Sequence, residues 1–328
     1  MASDSIYNRL VLALDWRRKE YAKRFSGFLA RCGGRVFVGV RWPWPVRKPY
    51  QRKRLRLAAP GGGIGDELMC TPIFAEIKKR NPNCHITFIS RYPDFFKSHP
   101  DIDEVELFQK GRNQKALQLS YAHAVPPLRP IMTLMAECAG LNLDFDQLVP
   151  PPSRIIPELE DKFNRISGPR VVIQPLASHW TPNKNWPVEN WRQLVKMLAE
   201  RFTVIEVGTK GCFPGEDFGP RFYSFAGQTE LDALSYIISR ADVFVGPVSG
   251  GMHLANAHKI RSVIIFGGYE SPEGFRFPRT EAFYSAVECA PCWLPTACPY
   301  GLKCMKMIEP KSVYEAVCRA IIDAPRSV

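Results

Sequence analysis

The fold is decided by Gly61-Gly62-Gly63-Ile64-Gly65-Asp66-Glu67-Leu68-Met69-Cys70-Thr71-Pro72, a stretch that joins a short strand to a helix. Residues 55–59 predict the strand, and apolar Ile73, Phe74 and Ile77 predict one face of the helix. Glycines allow a sharp turn and a close approach to a ligand, and a helix N-terminus offers free N–H groups. Asp66 lies in this turn, where it serves either as a helix cap or as a catalytic base.

The turn matches neither of two common phosphate-binding motifs. A Walker loop ends in Gly-Lys followed by Ser or Thr, whereas Gly65 is followed by Asp66. A dinucleotide fingerprint needs a glycine at its sixth position, which here is Asp66. The sequence therefore predicts neither Walker-type ATP hydrolysis nor NAD binding.

The positive charge of the chain is concentrated at its N-terminal end. The 328 residues carry a net charge of +12, and residues 1–57 hold 15 Lys/Arg against 3 acidic residues. Apolar residues at helical spacing among these basic ones predict a basic amphipathic helical extension over residues 1–54. Such a helix either contacts an anionic membrane surface, which we favour, or packs on the protein body with its basic face in water. Nucleic acid is not an expected partner, since the sequence has no RNP, zinc-finger or helix-turn-helix pattern.

From residue 55 onward, short apolar runs alternate with helical patterns. The runs that predict further strands are residues 85–90, 105–108, 170–174, 203–207, 243–245 and 263–266. This alternation predicts two doubly wound parallel sheets: an N-terminal domain over residues 55–150 and a C-terminal domain over residues 170–328, joined by a linker over residues 151–169. Because ligands bind beyond the carboxyl ends of parallel strands, we expect a cleft between the two domains.

A second glycine turn, Gly246-Pro247-Val248-Ser249-Gly250-Gly251-Met252-His253, repeats the order of strand, turn and helix. The N–H groups of Gly250, Gly251 and Met252 are predicted to bind a diphosphate. Ser249 is predicted to bind rather than to attack, because Pro247 replaces a glycine that a serine-hydrolase elbow requires.

Four of the ten cysteines, Cys289, Cys292, Cys298 and Cys304, cluster in a proline-rich segment, the Cys-rich loop 289–304. Four thiolates at this spacing suit a tetrahedral zinc or iron site. Reduced thiols without a metal, or a disulfide pair, are the alternatives. A metal here would be structural, since the glycine turns contain none of these ligands.

In their order and spacing, these motifs resemble those of the family-9 glycosyltransferases, which include the ADP-heptose:lipopolysaccharide heptosyltransferases. The resemblance extends from about Leu55 to Pro310 and includes Gly62–Asp66, Lys184-Asn185-Trp186-Pro187 and Ser249–Ala255. It implies the GT-B fold, in which two Rossmann-like domains face a cleft and bind the acceptor and the nucleotide sugar respectively. It also implies inverting sugar transfer without a catalytic metal ion.

The resemblance assigns roles to the matching residues. Asp66 corresponds to the general base, and Lys184 to a lysine that contacts the donor phosphates. The residues it places in the acceptor loop are Gly63, Gly65 and Thr71, and the further donor-binding residues are Ser178, Ser249, Gly250, Gly251, Met252 and His253. The cysteine pattern resembles that of heptosyltransferases that act on autotransporter proteins, where it holds iron.

The expected function is transfer of a heptose-like sugar from a nucleoside-diphosphate sugar, most simply an ADP-sugar, to a hydroxyl of an envelope glycolipid or lipopolysaccharide-type acceptor. The expected location is cytoplasmic, peripheral to the cytoplasmic face of the inner membrane. One departure is that Val248 stands where the family usually has Asp. A different donor, a substitute residue, or a catalytically inactive scaffold that binds sugar nucleotides would each explain it. Protein glycosylation of the autotransporter type is the remaining alternative.

Overall fold

Two parallel β-sheets organise the chain in a computed structural model that describes residues 48–61, 63–109, 116–127, 129–152, 156–177, 181–275 and 277–322. These residues belong to one compact unit, Lys48–Val328. The predicted basic extension lies outside the described residues apart from residues 48–54. No helix in the described ranges is long and apolar enough to cross a membrane.

Within the described residues, the first sheet has four parallel strands in the order β3-β2-β1-β4. Its strands are β1 (Arg54–Ala58), β2 (His85–Ser90), β3 (Glu104–Leu107) and β4 (Leu117–Gln118). Together with this sheet, four helices of the described residues form what we call the first half; the second sheet and its helices form the second half. The helices of the first half are α1 (Ile64–Leu68), α2 (Thr71–Arg80), α3 (Pro93–Phe96) and α4 (Ile131–Cys138). Strand β1 is central, and its Leu57 pairs with Phe88 on one side and Leu117 on the other.

The part of the chain that the structure describes contributes six parallel strands to the second sheet, in the order β10-β9-β8-β5-β6-β7. Its strands are β5 (Arg170–Ile173), β6 (Thr203–Glu206), β7 (Phe222–Ser224), β8 (Val243–Pro247), β9 (Arg261–Gly267) and β10 (Thr280–Tyr284). Its helices are α5 (Pro157–Arg165), α6 (Val188–Ala199), α7 (Leu231–Ser239), α8 (Gly250–Ala257), α9 (Lys303–Lys306) and α10 (Pro310–Ile322). Counted from β5, the strand order is that of a doubly wound dinucleotide-binding sheet, with the reversal between β5 and β8.

Each sheet is stabilised by burying one face of its helices. In the first half, Phe74 of α2 packs edge-on against Phe88 of β2, with ring centroids 4.9 Å apart. In the second half, Trp191 of α6 is fully buried and packs edge-on against Trp186 at 5.3 Å. The indole N–H of Trp186 donates to the carbonyl of Ile308, which holds the chain before α10 against this core.

The two halves meet through α1 and α8. A Cβ added to Gly65 of α1 would lie 2.4 Å from Cδ2 of His253, and one added to Gly250 of α8 would lie 2.5 Å from Cγ2 of Ile64. The amide side chain of Asn256 extends this contact, because its Oδ1 accepts the N–H of Leu148 at 2.9 Å. Both glycines therefore allow the two helices to approach closely.

The structure confirms the predicted α/β fold with two parallel sheets. The predicted strands from both halves are present, and α5 lies in the predicted linker. The sequence patterns did not predict β4, β7, β10 and α10. β4 and β7 are only two and three residues long, which is too short for a recognisable period. The domain boundaries at residues 150 and 169 remain a prediction.

Candidate active site

Asp66 lies where the strand order of the first sheet reverses. It follows β1, and Tyr121 follows the neighbouring strand β4. The hydroxyl of Tyr121 donates a hydrogen bond to Oδ1 of Asp66 at 3.0 Å. A reversal point at the carboxyl end of a parallel sheet is where ligands bind in this kind of fold. Tyr121 was not predicted as a site residue, because no motif surrounds it in the sequence.

Asp66 is not the N-cap of α1, because that position belongs to Gly63. The Asp66 carboxylate instead accepts the N–H of Gly63 from the third position of the helix. A Cβ on Gly61 would lie 2.0 Å from Oδ2 of Asp66, so a larger residue there would displace the carboxylate. Burial raises the pKa of Asp66, while the Tyr121 hydroxyl, the charge of Lys184 and the Gly63 N–H lower it. The net effect is an upward shift, which makes the carboxylate a stronger base than an exposed aspartate.

Lys184 extends toward Asp66 from the second half of the protein. It ends a 3₁₀ turn, Pro182–Lys184, and its side chain is only 16% exposed. Its Nζ donates to Oε1 of Glu270 at 3.0 Å and lies 5.0 Å from the ring centroid of Tyr269. Because its charge lowers the pKa of Asp66, the two groups are within electrostatic reach of each other. The structure therefore brings the predicted base and the predicted phosphate-binding lysine into one site.

The 3₁₀ turn that carries Lys184 is held by the Cys-rich loop. The side-chain amide of Asn183 donates to the carbonyls of Leu294 and Thr296, at 2.8 and 2.7 Å. Trp293 of the same loop packs against the rings of Tyr121 and Tyr269, with centroids 6.5 and 5.8 Å away. The loop thus supports the site from both sides.

Ser249 marks the reversal point of the second sheet. It follows β8, and its hydroxyl donates to Oε1 of Gln174, which follows the neighbouring strand β5, at 3.1 Å. Ser249 is the N-cap of α8 but makes no side-chain cap hydrogen bond. The first N–H groups of α8, from Gly250, Gly251 and Met252, start at this point and have no acceptors within the helix. A Cβ on Gly251 would lie 2.2 Å from Oε1 of Gln174, so this contact also requires a glycine.

His253 is buried between the two halves rather than presented to a ligand as a cation. It is 5% exposed and lies against Gly65, and its ring centroid is 5.6 Å from Phe275 and 5.5 Å from Phe277. Its Nδ1 has no hydrogen-bond partner among the described residues. Burial, with a smaller contribution from the charge of Lys184, lowers the pKa of His253 to about 3. The ring is therefore neutral at physiological pH, and its predicted donor-binding role is limited to uncharged contacts.

The remaining predicted residues occupy different environments. Thr71 is fully buried, and its hydroxyl donates to the carbonyl of Leu68 and accepts the N–H of Val149. Gly63 is exposed at the mouth of the turn. Ser178 lies outside the described residues. The roles assigned to these residues by resemblance remain predictions.

The four clustered cysteines are free thiols in the structure. Burial is the main cause of the raised pKa values of Cys292 and Cys304, and the other thiols of the cluster add to it. Backbone N–H groups point at two of the sulfurs, from Leu294 toward Cys292 and from Gly268 toward Cys304. The described residues contain no group of three or more His, Cys, Asp or Glu side chains that could hold a metal ion, so metal binding here remains a prediction.

Comparison with known proteins gives a family and several relatives. The profile of glycosyltransferase family 9 (heptosyltransferase) matches residues 108–293, more than half of the chain. Lipooligosaccharide heptosyltransferase 2 of Campylobacter jejuni subsp. jejuni serotype O:6 is 27% identical over 96 residues. That match spans 29% of this chain and 30% of the relative, so under a third of the curated relative is covered.

Solved structures of low sequence identity share the fold over most of the chain. The ADP-heptose lipopolysaccharide heptosyltransferase II of E. coli has a TM-score of 0.61 at 16% identity, covering 82% of this chain and 98% of that one. The iron-containing dodecameric heptosyltransferase TibC of enterotoxigenic E. coli, solved with ADP-D-β-D-heptose, also has a TM-score of 0.61 at 16% identity. That similarity covers 83% of this chain and 77% of TibC.

Proposed function

Because the chain belongs to glycosyltransferase family 9, we propose that it is an inverting glycosyltransferase with Asp66 as its general base. The observation that carries this proposal is the joining of Asp66 and Lys184, from the two halves of the chain, in one site. Inverting transfer needs a base on one side of the anomeric carbon and a cation beside the leaving group on the other. These two residues supply both.

The proposed step is a single displacement. Asp66 takes the proton of the acceptor hydroxyl as the hydroxyl oxygen attacks the anomeric carbon. The bond from that carbon to the diphosphate oxygen breaks, and the diphosphate leaves with the electron pair. Lys184 and the first N–H groups of α8 stabilise the charge on the leaving group. Tyr121 orients the base through its hydrogen bond.

The proposed donor is an ADP-linked heptose, and the proposed acceptor is a hydroxyl of a lipopolysaccharide-type glycolipid. Support for both comes from the relatives: TibC was solved with ADP-D-β-D-heptose, and the E. coli protein of the same fold is a lipopolysaccharide heptosyltransferase. The site itself supports a diphosphate leaving group through Lys184 and the start of α8.

The test is donor binding and turnover in wild type and two variants. Asp66→Asn is expected to lower turnover of ADP-heptose about 100-fold or more while leaving donor binding intact, because the base acts only on the acceptor. Lys184→Ala is expected to weaken donor binding. The matched controls are Asp94→Asn and Lys97→Ala, which alter an exposed ion pair on the first half. Full turnover by Asp66→Asn would contradict the proposal.

Two other functions are supported by particular observations. Protein glycosylation of the autotransporter type is favoured by the Cys-rich loop beside the site, and transfer to a protein but not to a glycolipid acceptor would establish it. A catalytically inactive sugar-nucleotide-binding scaffold is favoured by Val248, which is buried and places no carboxylate at its position. Tight donor binding without turnover on either acceptor would establish that function.

We also propose a structural zinc or iron ion at Cys289, Cys292, Cys298 and Cys304. The donor set suits these metals, and N–H groups directed at sulfur are the kind of outer contacts that support metal-bound thiolates. When bound, the ion would cross-link the loop that supports the turn of Lys184. Elemental analysis of purified protein tests this, with Cys292→Ser expected to lose the metal and Cys318→Ser, on α10, expected to keep it. Absence of both metals from wild-type protein would contradict it.

We propose further that residues 1–54 hold the protein at an anionic membrane surface on the cytoplasmic side of the inner membrane. The support is the charge of this segment, 15 Lys/Arg against 3 acidic residues over residues 1–57. The full chain should bind vesicles that contain anionic lipid, and less so at high salt. Reversing the charges of Arg17, Arg18 and Lys19 should weaken this binding, and equal binding by the charge-reversed variant would contradict the proposal.

A further inference from the structure

We propose that Glu270 recognises the sugar of the donor by accepting hydrogen bonds from its hydroxyl groups. This inference rests on the proposed function, because it concerns the same site. Glu270 has no role predicted from the sequence, and it lies in neither glycine turn.

Glu270 is a buried carboxylate at the carboxyl end of β9. It is 5% exposed, and its Oε1 accepts the hydrogen bond from Lys184 at 3.0 Å. Its Oε2 lies 2.9 Å from the same Nζ, at ion-pair distance, but receives no hydrogen bond of good geometry from any described residue. Oε2 thus has an ion-pair partner but an incomplete set of hydrogen bonds among the described residues, and a donor group from a ligand would complete it.

Glu270 interacts with the two groups that flank the transferred sugar in the proposed step. Lys184 marks the diphosphate and Asp66 marks the acceptor hydroxyl, and the anomeric carbon lies between these two groups in an inverting displacement. Glu270 contacts Lys184 directly and interacts electrostatically with Asp66. A carboxylate that contacts the diphosphate cation and is within electrostatic reach of the base is beside the sugar rather than beside the nucleotide base.

The chemistry of the pair fits this role. An ionised carboxylate only accepts hydrogen bonds, and sugar hydroxyls donate them. Lys184 carries three N–H donors, so it can bind Glu270 and a phosphate oxygen together. The turn after β8, residues 246–252, contains no acidic residue, and the carboxylate paired with Lys184 comes from the turn after β9.

The test compares ADP with ADP-heptose, since only the second carries the sugar. Glu270→Gln is expected to weaken ADP-heptose binding about 10-fold, because charged hydrogen bonds to the hydroxyls are lost. ADP binding should be unchanged or tighter, because Lys184 then has no carboxylate competing with the phosphates. Glu273→Gln, an exposed glutamate of the same loop, is the matched control and should change neither affinity. Thermal unfolding of each variant verifies that it is folded.

The outcomes separate the inference from the proposed function. Weaker binding of ADP-heptose but not of ADP by Glu270→Gln supports the proposed role of Glu270. Equal changes for ADP and ADP-heptose would overturn it, since a merely structural role of Glu270 would affect both ligands alike. Wild-type protein that binds ADP and ADP-heptose with equal affinity would also overturn it, while leaving diphosphate binding in place. Binding of neither ligand by wild type would overturn the proposed function as well.

Discussion

Acid should destabilise this protein through His253, and the size of the effect follows from its burial. His253 is 5% exposed between α1 and α8, and its pKa is lowered from 6.5 to about 3. The folded protein therefore binds a proton on this ring much more weakly than the unfolded chain does. Its contribution to stability is full above pH 6.5 and is lost as the pH falls toward 3.

The unfolding free energy lost between pH 7 and pH 5 depends little on the exact pKa of His253 in the folded protein. At pH 5 the unfolded ring is almost fully protonated and the folded ring of His253 is neutral. The unfolding free energy falls by about 1.4 kcal/mol for each pH unit below 6.5, which gives a loss of about 2 kcal/mol at pH 5. Asp66 and Glu270 have raised pKa values and act in the opposite direction, so the total pH dependence does not isolate the histidine.

The assay is urea unfolding of wild type and His253→Gln at pH 7 and pH 5. Glutamine is polar and does not titrate, so the change in unfolding free energy that comes from its different packing is the same at both pH values. Between pH 7 and 5, the wild type should lose about 2 kcal/mol more unfolding free energy than the variant does. His258, whose pKa is lowered to about 4 by burial, allows an independent repeat with His258→Gln. If wild type and His253→Gln change in parallel between the two pH values, the reasoning from burial is refuted.

Two further predictions concern the turn that carries the base. Gly65→Ala should cost about 1–3 kcal/mol of unfolding free energy, because its Cβ would overlap the buried ring of His253. Among the described residues, the Cβ of Gly63→Ala would meet only Oδ2 of Asp66, at 3.8 Å, so this change should cost under about 1 kcal/mol. Equal costs in urea unfolding would contradict this. Tyr121→Phe removes the hydrogen bond that lowers the pKa of Asp66, so the acid limb of the kcat/KM profile should move to higher pH. An unmoved limb would show that this bond does not tune the base.

The sequence predicted the parts of the fold that depend on local pattern. Runs such as residues 85–90 are buried strands with a clear apolar bias, and the two glycine turns are visible without any tertiary information. The prediction of one site from two distant turns also agrees with the structure, because parallel strands present their carboxyl ends at the same edge. Asp66 stands out for this reason, whereas Lys184 was predicted only from the resemblance to the family-9 glycosyltransferases.

What the sequence could not predict depends on strand order. Tyr121 reaches Asp66 only because the two-residue strand β4 pairs beside β1, and a strand of that length leaves no pattern. Glu270 is 86 residues from Lys184 and shares no motif with it. Their contact requires both the 3₁₀ turn and the end of β9 to face the same point. Residues that complete the site are thus set by tertiary neighbours rather than by spacing.

The structure also changes the interpretation of the glycines. The sequence suggests that they permit a close approach to a ligand, and this remains a prediction for Gly63. Gly65 and Gly250, however, have no room for a Cβ because His253 and Ile64 from the opposite half occupy that space. A bulky side chain of each half therefore packs against a glycine of the other half. These contacts lie on α1, which carries the base, and on α8, which begins at the predicted diphosphate site. Changing either glycine should alter the separation of base and donor, and so affect turnover as well as stability.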